Sequence, residues 1–555
     1  MFRTFIREAA GSVLPTFAIA AIPLIVSTGA VVDYSNAYDQ KMIVQDSMDS
    51  AALAAGKKIG LLSLTEVEAE AGKFFVANIG DKITNPPTLN TSVAASTITL
   101  TSELHVPTYF LGMIGLDEFV FPLISKATLA LGTLEVVMAL DNSGSMSGTK
   151  ITTLRTAAAN LTTTLFNLGT TSTKPDPIKV GLVPFAAAVN VGSGYENAAW
   201  MDGAAVGSYH GESFEPLPSS PPVNVFTLFD GINNVSWGGC VEERPMPYDI
   251  SDDPPNPGNP PTMIVPMFAP DEPDNLTCTT SSCSYAGWGS ARRFNGATSG
   301  SKSYNNYLAD YPGQCGSSNN NQWTCANGNA NCNGSNSGVS EETAFERTCK
   351  YGTASNKVTP SSTTIGGIDG GPNFMCSSNP LTPLTTNQTA ITAAINAMPA
   401  EGATNITAGL TWAWRLLSPG VPFTEGRSYS VGDNQKILIL MTDGANTYYP
   451  NSSFLKSWYG AWGYVREGHL GTTSTNQDTL QAKMDERTAA ACTNAKAAGV
   501  KVYTVAFQVT DTPTLNMLTA CATEPDMAFQ SSSTSALLAA FTAIGDDITL
   551  LRIAQ

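Results

Sequence analysis

The feature that most constrains the fold is an apolar run that ends in a polar turn. The run Leu134–Leu140 is followed by Asp141-Asn-Ser-Gly-Ser145, and a helical pattern begins at about Thr149. A short, mostly apolar run that ends at an aspartate is typical of a buried parallel strand. Ligands of open α/β sheets bind beyond the carboxyl ends of such strands, near the point where the strand order reverses. The sequence therefore predicts an α/β fold with a functional site at Asp141.

The turn offers oxygen donors at alternate positions. Asp141 supplies a carboxylate, and Ser143 and Ser145 supply hydroxyls. Such oxygens suit a hard cation, since Mg²⁺ takes about six oxygens at roughly 2.1 Å and keeps some waters. An ordinary Asx-type turn that caps a helix is the alternative, because Asp and Ser favour both arrangements.

Two further loops strengthen the metal interpretation. A second apolar run, Ile437–Met441, leads into Thr442-Asp443-Gly444, and the loop Glu401–Asn405 opens a helix that continues to Leu417. With these three loops the chain resembles a von Willebrand factor A (vWA) domain that carries a metal-ion-dependent adhesion site. The resemblance implies a doubly wound, mostly parallel, Rossmann-like sheet.

The resemblance also implies a set of metal-binding residues. The first loop would contribute an Asp and two Ser, the second a Thr and the third an Asp, which here are Asp141, Ser143, Ser145, Thr404 and Asp443. In such a site the hydroxyls bind the metal directly, and the Asp side chains often act through water. The implied ion is Mg²⁺, with Mn²⁺ and Ca²⁺ as alternatives, and the implied ligand is a Glu or Asp carboxylate of a protein partner.

The remaining core elements follow from hydrophobic periodicity. An amphipathic helix is predicted over 151–168, and its apolar face is expected to pack on the sheet. Further predicted strands and helices cover 178–185, 186–191, 389–398, 480–498, 500–507 and 535–553. A second membrane span in the last helix is excluded because Asp546 and Asp547 lie in its middle.

Charge and cysteine content bound the function and the compartment. The chain has 29 basic and 46 acidic residues and a net charge of −17, which argues against a nucleic-acid partner. Eight of the ten cysteines lie between Cys240 and Cys376, in a segment rich in Asn, Gly and Ser. This pattern indicates a disulfide framework of open connectivity in an oxidising compartment; zinc is the alternative, although paired C-x-x-C sets are absent. Cys492 and Cys521 flank a predicted strand and are candidates for a further disulfide.

The N-terminus predicts a membrane anchor. Residues 12–32 form an uncharged apolar stretch, and a helix of about 20 residues spans the roughly 30 Å hydrocarbon layer. Arg3 and Arg7 precede the stretch and Asp33 and Asp39 follow it, so we expect a cytoplasmic N-terminus with the bulk of the chain outside. A cleaved signal peptide is the alternative.

The helical pattern continues beyond the predicted span. An apolar stripe that includes Met42, Val44 and Met48 runs on to Lys57. Together with residues 11–20, Val32-Asp-Tyr34 and Asp49-Ser-Ala-Ala-Leu53, it resembles the N-terminus of TadG-like Tad/Flp pilus-assembly proteins. The resemblance implies a bacterial inner-membrane location, pilus-assembly or envelope partners, and a peptidase site after Gly11, although Thr16 stands where prepilins carry Glu.

These observations predict six segments. They are a cytoplasmic N-terminus at 1–11, a transmembrane helix at 12–32, a pilin-like stalk with a β-rich segment at 33–131, the first part of the vWA domain at 132–191, a Cys/Asn/Gly-rich insertion at 192–379 and the second part of the vWA domain at 380–555. The β-rich stretch is expected to pack the stalk against the next domain, with an exposed membrane-surface patch as the alternative. The insertion is either a recognition element or a passive cross-linked loop.

The functional hypothesis combines both resemblances. We expect a membrane-anchored, extracytoplasmic, metal-dependent binding protein for the assembly or anchoring of a Tad/Flp-type pilus, or for adhesion through it. An enzyme is disfavoured because no G-x-S-x-G elbow, H-E-x-x-H helix or phosphate-binding loop is present. Two alternatives stay open: a vWA adhesin or envelope scaffold unrelated to pili, and a Mg²⁺-dependent phosphotransfer enzyme that uses Asp141, Asp443 and Lys150.

Overall fold

The structure is a computed structural model that divides the chain into two compact units. It describes residues 13–59, 62–94, 97–128, 132–170, 172, 174–214, 222–272, 305–308, 345–362 and 364–553. The first unit, called here the N-terminal unit, comprises Met1–Gly132, Asn167–Pro177 and Thr549–Gln555; the second, called here the sheet unit, comprises Thr133–Phe166 and Ile178–Ile548. The predicted cytoplasmic segment 1–11, with the proposed cleavage site at Gly11, lies outside the described residues.

The N-terminal unit packs two helices on a three-stranded antiparallel sheet of order β1-β2-β3. Its elements are α1 (Val13–Gly56), α2 (Leu64–Ile79), β1 (Asn90–Ala94), β2 (Thr97–Pro107) and β3 (Glu118–Thr128). Helix α2 was not predicted from the sequence, although Ser63 and Glu66 have the spacing of a capping box. In the structure the Glu66 N–H donates to Ser63 Oγ, and the Ser63 N–H donates to Glu66 Oε2.

The single helix α1 has two halves of different character. In its first half, apolar side chains are exposed, among them Ile22, which is 66% exposed, and Val31, which is 68% exposed. In its second half, one face carries six buried apolar side chains, in the part of the unit where α1 contacts α2, β2 and β3, while Met42 and Leu53 stay exposed. These buried residues are Ala37, Val44, Met48, Ala51, Ala52 and Ala55. By length and composition α1 is suited to cross a membrane.

The sheet unit is built on a mixed sheet of eight strands. Seven follow the order β15-β14-β13-β4-β5-β6-β7, and β12 pairs with β5. The five strands from β15 to β5 are parallel, whereas β6, β7 and β12 join antiparallel. The bounds are β4 (Thr133–Asp141), β5 (Ile178–Phe185), β6 (Val189–Asn190), β7 (Cys240–Val241), β12 (Thr382–Thr385), β13 (Asn434–Thr442), β14 (Val500–Phe507) and β15 (Ala528–Ser531).

Besides its strands, the sheet unit contains α-helices. They are α3 (Thr149–Gly169), α4 (Val225–Asp230), α5 (Gln388–Ala397), α6 (Ile406–Leu417), α7 (Gln477–Ala497), α8 (Thr512–Cys521) and α9 (Thr534–Ile553). One core cluster joins Val137 and Ala139 of β4 to apolar residues of α6, α7 and α8. Because side chains alternate along a strand, Tyr503 of β14 points away from its neighbour Val502, and its hydroxyl donates to Asp547 of α9 at 2.5 Å.

The segment between the two halves of this core contains short elements. Beside α4, β6 and β7, its two-stranded ladders are β8 (Gly352–Thr353) with β9 (Asn356–Lys357), and β10 (Thr364–Ile365) with β11 (Ile368–Asp369). The predicted strand at 186–191 is reduced to Val189–Asn190. Both backbone groups of Ala186 are used outside the strand ladder. The Ala186 carbonyl accepts the Asn405 N–H, and the Ala186 N–H donates to the Ala188 carbonyl.

Two disulfides join distant parts of the sheet unit. Cys240 bonds Cys376 across a sequence separation of 136, with a Cα–Cα distance of 5.6 Å. Cys492 of α7 bonds Cys521 of α8, with a Cα–Cα distance of 5.2 Å, so the disulfide predicted around β14 is confirmed. The other cysteines of the predicted cluster fall outside the residues whose side chains are described.

Candidate metal centre

The candidate site lies where β4 and β13 end side by side. The two strands are parallel, and Leu140 pairs with Met441 in their register. Asp141 is fully buried, and both of its carboxylate oxygens are held. Oδ1 accepts the Ser143 N–H at 2.8 Å, and Oδ2 accepts the Thr442 hydroxyl at 2.7 Å. The first aspartate is therefore fixed by its own turn and by the neighbouring strand.

The two serines connect Asp141 to the second aspartate. Ser143 Oγ lies 3.0 Å from Ser145 Oγ, and Ser145 Oγ donates to Asp443 Oδ1 at 2.5 Å. Ser143 is 1% exposed, whereas Ser145 is exposed at the surface. The structure thus brings four of the five predicted site residues into one hydrogen-bonded set that opens to solvent at Ser145.

A lysine completes this set. Lys150, in the first turn of α3, donates from Nζ to Asp443 Oδ2 at 2.6 Å, and its side chain is 27% exposed. The sequence named this lysine only within the phosphotransfer alternative, and a solvated side chain is the commoner arrangement at such a position. Instead, the helix start that follows the Asp141 turn directs the ammonium back to the site, because Lys150 lies only five positions beyond Ser145.

Thr404 belongs to the loop 401–405. Backbone hydrogen bonds join this loop to the turn 141–145. The Gly144 N–H donates to the Gly402 carbonyl at 3.0 Å, and the Glu401 N–H donates to the Asn142 carbonyl at 2.9 Å. Thr404 itself is 4% exposed. Within the described part of the chain, its hydroxyl makes no hydrogen bond to the other four predicted residues.

Local sequence explains the shape of the second loop. Gly402 has φ +91°, and a Cβ there would lie 2.7 Å from Ser377 Oγ, so a side chain at this position would be strained and would collide. Asn405 caps α6 by accepting the Ala408 N–H, and the Thr404 carbonyl accepts the Thr447 N–H at 2.8 Å. These bonds hold the loop on both sides of Thr404.

Burial and like charge shape the electrostatics of Asp141. Desolvation, and then the charge of Asp443, raise the pKa of the Asp141 carboxyl to about 6, while the hydrogen bonds from Ser143 and Thr442 oppose the rise. The formal charges of the two carboxylates and of the Lys150 ammonium sum to −1. A buried site of this kind favours a bound cation.

The donor set matches what Mg²⁺ requires. Two adjacent oxygens of an octahedral shell with bonds of about 2.1 Å lie about 3.0 Å apart. The separation of the Ser143 and Ser145 hydroxyl oxygens is 3.0 Å. Carboxylate and hydroxyl oxygens are hard donors, which suit Mg²⁺, Mn²⁺ or Ca²⁺. The residues present therefore fit the ion that the sequence predicts, while the metal role of each residue stays a prediction.

A second group of potential ligands lies elsewhere in the sheet unit. Glu212, Glu467 and His469 offer ligand atoms within 4.8 Å of one another. His469 Nε2 lies 2.5 Å from Glu212 Oε1, and the two Glu467 oxygens accept the Ser213 hydroxyl and the Tyr464 N–H. These contacts already engage the ligand atoms with one another or with neighbouring protein groups, so we assign the cluster no metal.

Comparison with known proteins identifies the N-terminal segment. Residues 11–58 match the family model described as "Tad: Putative Flp pilus-assembly TadE/G-like". The N-terminal segment is TadE/G-like. The resemblance drawn from the sequence is thereby confirmed for this segment, which includes all of α1. No match was found among curated proteins.

Solved structures give weaker similarities. A pilus adhesin, SpaC from Lactobacillus rhamnosus GG, aligns with a TM-score of 0.32 and 12% identity over 85% of this chain and 37% of its own, so this chain spans about a third of that adhesin. The vWF domain of the type V pili tip protein Mfa5 from Porphyromonas gingivalis aligns with a TM-score of 0.30 and 11% identity over 75% of this chain and 95% of its own.

Proposed function

We propose that this chain is a membrane-anchored, extracytoplasmic binding protein of a Tad/Flp-type pilus system. In this proposal a divalent cation, Mg²⁺ in the first instance, is held by Asp141, Ser143, Ser145, Thr404 and Asp443. The observation that carries the proposal is the convergence of the Asp141, Ser143, Ser145 and Asp443 oxygens at the ends of β4 and β13.

The strand order supports the finer assignment of a doubly wound vWA sheet. From β4 the chain moves in one direction to β5, and later returns to the other side of β4 as β13, followed by β14 and β15. The order reverses between β4 and β13, and ligands of open α/β sheets bind at such a reversal. Asp141 is the last residue of β4 and Asp443 directly follows β13, which is the position that the proposed site requires.

Charge favours an anionic oxygen as the ligand of this site. The net charge of −1 that Asp141, Asp443 and Lys150 produce would become +1 with a divalent ion bound. Mg²⁺, when bound, would supply an open coordination position for a carboxylate of a protein partner. The Lys150 ammonium offsets negative charge on the Asp443 carboxylate, which strengthens the preference of the site for an anionic ligand.

Location follows from the N-terminal segment. The TadE/G-like match and the exposed apolar half of α1 support an anchor in a bacterial inner membrane. Arg3 and Arg7 precede the apolar stretch, so we propose a cytoplasmic N-terminus and an extracytoplasmic sheet unit. Disulfides in the sheet unit are in keeping with an oxidising compartment.

A phosphotransfer enzyme is the second candidate, because Lys150 contacts Asp443. Against it, both oxygens of Asp141 are already engaged by Ser143 and Thr442, so this carboxylate is poorly placed to attack a phosphorus atom. This candidate predicts Mg²⁺-dependent hydrolysis of a generic phosphate ester that is lost in Asp141→Ala. Absence of turnover in the parent protein rules it out.

The binding proposal is tested by capture of partners in the native cell. The tagged full chain is cross-linked in membranes with Mg²⁺ or with EDTA, and the captured proteins are identified by mass spectrometry. We expect pilus-assembly components with Mg²⁺, and their loss both with EDTA and in Asp141→Ala.

Two outcomes separate the alternatives. Equal capture of pilus components with Mg²⁺, with EDTA and in Asp141→Ala contradicts metal-dependent binding. Mg²⁺-dependent capture of envelope proteins without any pilus component supports instead an adhesin or scaffold unrelated to pili. The matched control is Asp478→Ala, which removes an exposed aspartate from the first turn of α7.

A further inference from the structure

The loop that joins β2 to β3 has an unusual surface. Residues Thr108–Asp117, called here the hairpin tip, connect the paired residues Pro107 and Glu118. Within this tip a short 3₁₀ turn covers Leu111–Ile114. Its apolar side chains project outward: Tyr109 and Met113 are each 74% exposed, Ile114 is 63% exposed, and Leu116 is 43% exposed. A contiguous exposed group of this kind marks an interaction surface.

The hairpin tip is fastened to α1 at the end of the predicted membrane span. Asp33 is 3% exposed, and its carboxylate accepts the backbone N–H groups of Tyr109, Phe110 and Leu111 at 3.1, 2.8 and 2.8 Å. These are donors at the start of the 3₁₀ turn, which water would otherwise satisfy. A buried acceptor for them matters most where water is scarce.

A second contact places the tip deeper along the helix. A Cβ at Gly29 would lie 2.3 Å from the Phe110 ring, so the missing side chain of Gly29 makes room for this ring. Gly29 precedes Asp33 by four residues, which is about 6 Å along a helix axis. Phe110 therefore packs on α1 inside the apolar stretch that is predicted to span the membrane.

From these contacts we propose that the hairpin tip inserts into the outer lipid interface beside α1. The inference rests on the proposed function in one respect, namely that α1 spans the membrane. Given that span, the depth of Phe110 leaves Tyr109, Met113, Ile114 and Leu116 at the level of the headgroups and the first methylenes. Peripheral apolar elements are buried about 5–10 Å into this layer.

Aromatic residues next to the tip suit the same layer. Tyr34 stacks with Tyr38, with ring centroids 6.2 Å apart, and meets Phe119 edge-on at 6.1 Å. Lys41 lies with its Nζ 5.5 Å from the centre of the Phe121 ring. Tyrosines and long cationic side chains are enriched at membrane–water interfaces, where one end is apolar and the other is hydrated. The inserted tip and α1 would give the N-terminal unit two attachments to one leaflet.

Photo-cross-linking of the full chain tests this arrangement. A benzophenone amino acid replaces Met113, Ile22 or Val76 in separate samples, each reconstituted in vesicles of phosphatidylethanolamine and phosphatidylglycerol. Ile22 reports the span, and Val76, which is 66% exposed on α2, is the matched exposed control. Irradiation is followed by mass spectrometry of the adducts.

We expect lipid adducts at positions 22 and 113, with at least fivefold less adduct at 76. Adducts at 22 with none above the control at 113 overturn the inserted tip and leave the anchor standing. Protein adducts in place of lipid adducts at 113 overturn it in favour of a protein partner. Absence of lipid adducts at 22 shows that the anchor itself is wrong, and the inference fails with it.

Discussion

The two ends of β4 each carry a buried carboxylate, and the partners of the two differ. Glu135, near the amino end, accepts from Lys436 at 2.6 Å, from the Arg427 guanidinium at 3.0 Å and from Asn434 at 3.1 Å. Asp141, at the carboxyl end, meets a backbone N–H and the hydroxyl of Thr442. One carboxylate is neutralised within the chain, and the other is not.

The partners of Glu135 indicate a structural role, and those of Asp141 are in keeping with a binding role. A buried carboxylate with cations on both oxygens needs nothing from outside. At the carboxyl end Lys150 donates to Asp443, and among the described residues no ion pair to Asp141 is present. The hydroxyls of Ser143 and Ser145 lie beside these two acids. We interpret the amino end as an internal ion pair and the carboxyl end as a site completed by an external cation.

The largest effect is expected at the amino end. Glu135→Ala leaves the Lys436 ammonium buried without its carboxylate, and breaking such a pair costs about 3–5 kcal/mol. Urea unfolding of the full chain in detergent measures the loss. Tryptophan fluorescence suits this purpose, because all eight tryptophans lie beyond residue 132.

The double variant Glu135→Leu with Lys436→Met is the control. Removing both charges replaces the pair by apolar groups, so most of the stability should return. If the double variant is as unstable as Glu135→Ala, packing at this position explains the loss and the unpaired charge does not. The interpretation of Glu135 as an internally neutralised carboxylate would then lose its support.

Glu272 is a third buried carboxylate, and its effect on the stability of the folded state is expected to depend on pH. Glu272 is 1% exposed, Oε1 accepts the Tyr464 hydroxyl at 3.3 Å, and burial raises its pKa to about 8. Because this pKa lies above the unfolded value of about 4.3, the ionised carboxylate destabilises the folded state as pH rises from about 4 to 8.

Glu272→Gln should therefore stabilise the sheet unit at pH 8.5 by on the order of 3 kcal/mol, and by much less at pH 5. Urea midpoints of parent and variant at the two pH values measure the difference. The same change in midpoint at both pH values would show that Glu272 does not titrate in this range.

A smaller effect is expected from Lys150. Its ammonium competes with a divalent ion for the charge of Asp443, so Lys150→Met should raise Mg²⁺ affinity about tenfold, which corresponds to about 1.4 kcal/mol. Calorimetric titration of the full chain measures the change, and Lys179→Met, whose ammonium bonds the Glu425 carbonyl, serves as the matched control. Weaker binding in Lys150→Met would mean that the lysine helps to form the site.

Local sequence predicted most of the core but not all of its connections. The strand that ends at Asp141, the strand before Asp443 and the helix after Asn405 follow from apolar runs with polar ends, and the structure contains all three. Helix α2 was missed although the Ser63–Glu66 capping box announces it. Its buried residues Val67, Ala71, Phe75 and Ile79 also recur at every fourth position, which is a helical spacing, so the signal was present in the sequence.

The partners of the site were less predictable because they depend on long-range pairing. Thr442 contacts Asp141 only once β13 lies beside β4, a separation of 301 residues. Lys150 is near in sequence, yet its orientation depends on where Asp443 lies. The hydrogen bonds between Asp33 and the hairpin tip likewise join positions that are 76 to 78 residues apart.

We propose above all that the carboxyl end of β4 holds a divalent cation. The most direct test is calorimetric titration of Mg²⁺, and of Mn²⁺ or Ca²⁺ in parallel, into the oxidised full chain in detergent, with Asp141→Ala beside it. Circular dichroism establishes that both proteins are folded. We predict one saturable site in the parent and none in the variant. A folded parent that binds none of the three ions, or equal binding in both proteins, would contradict the claim.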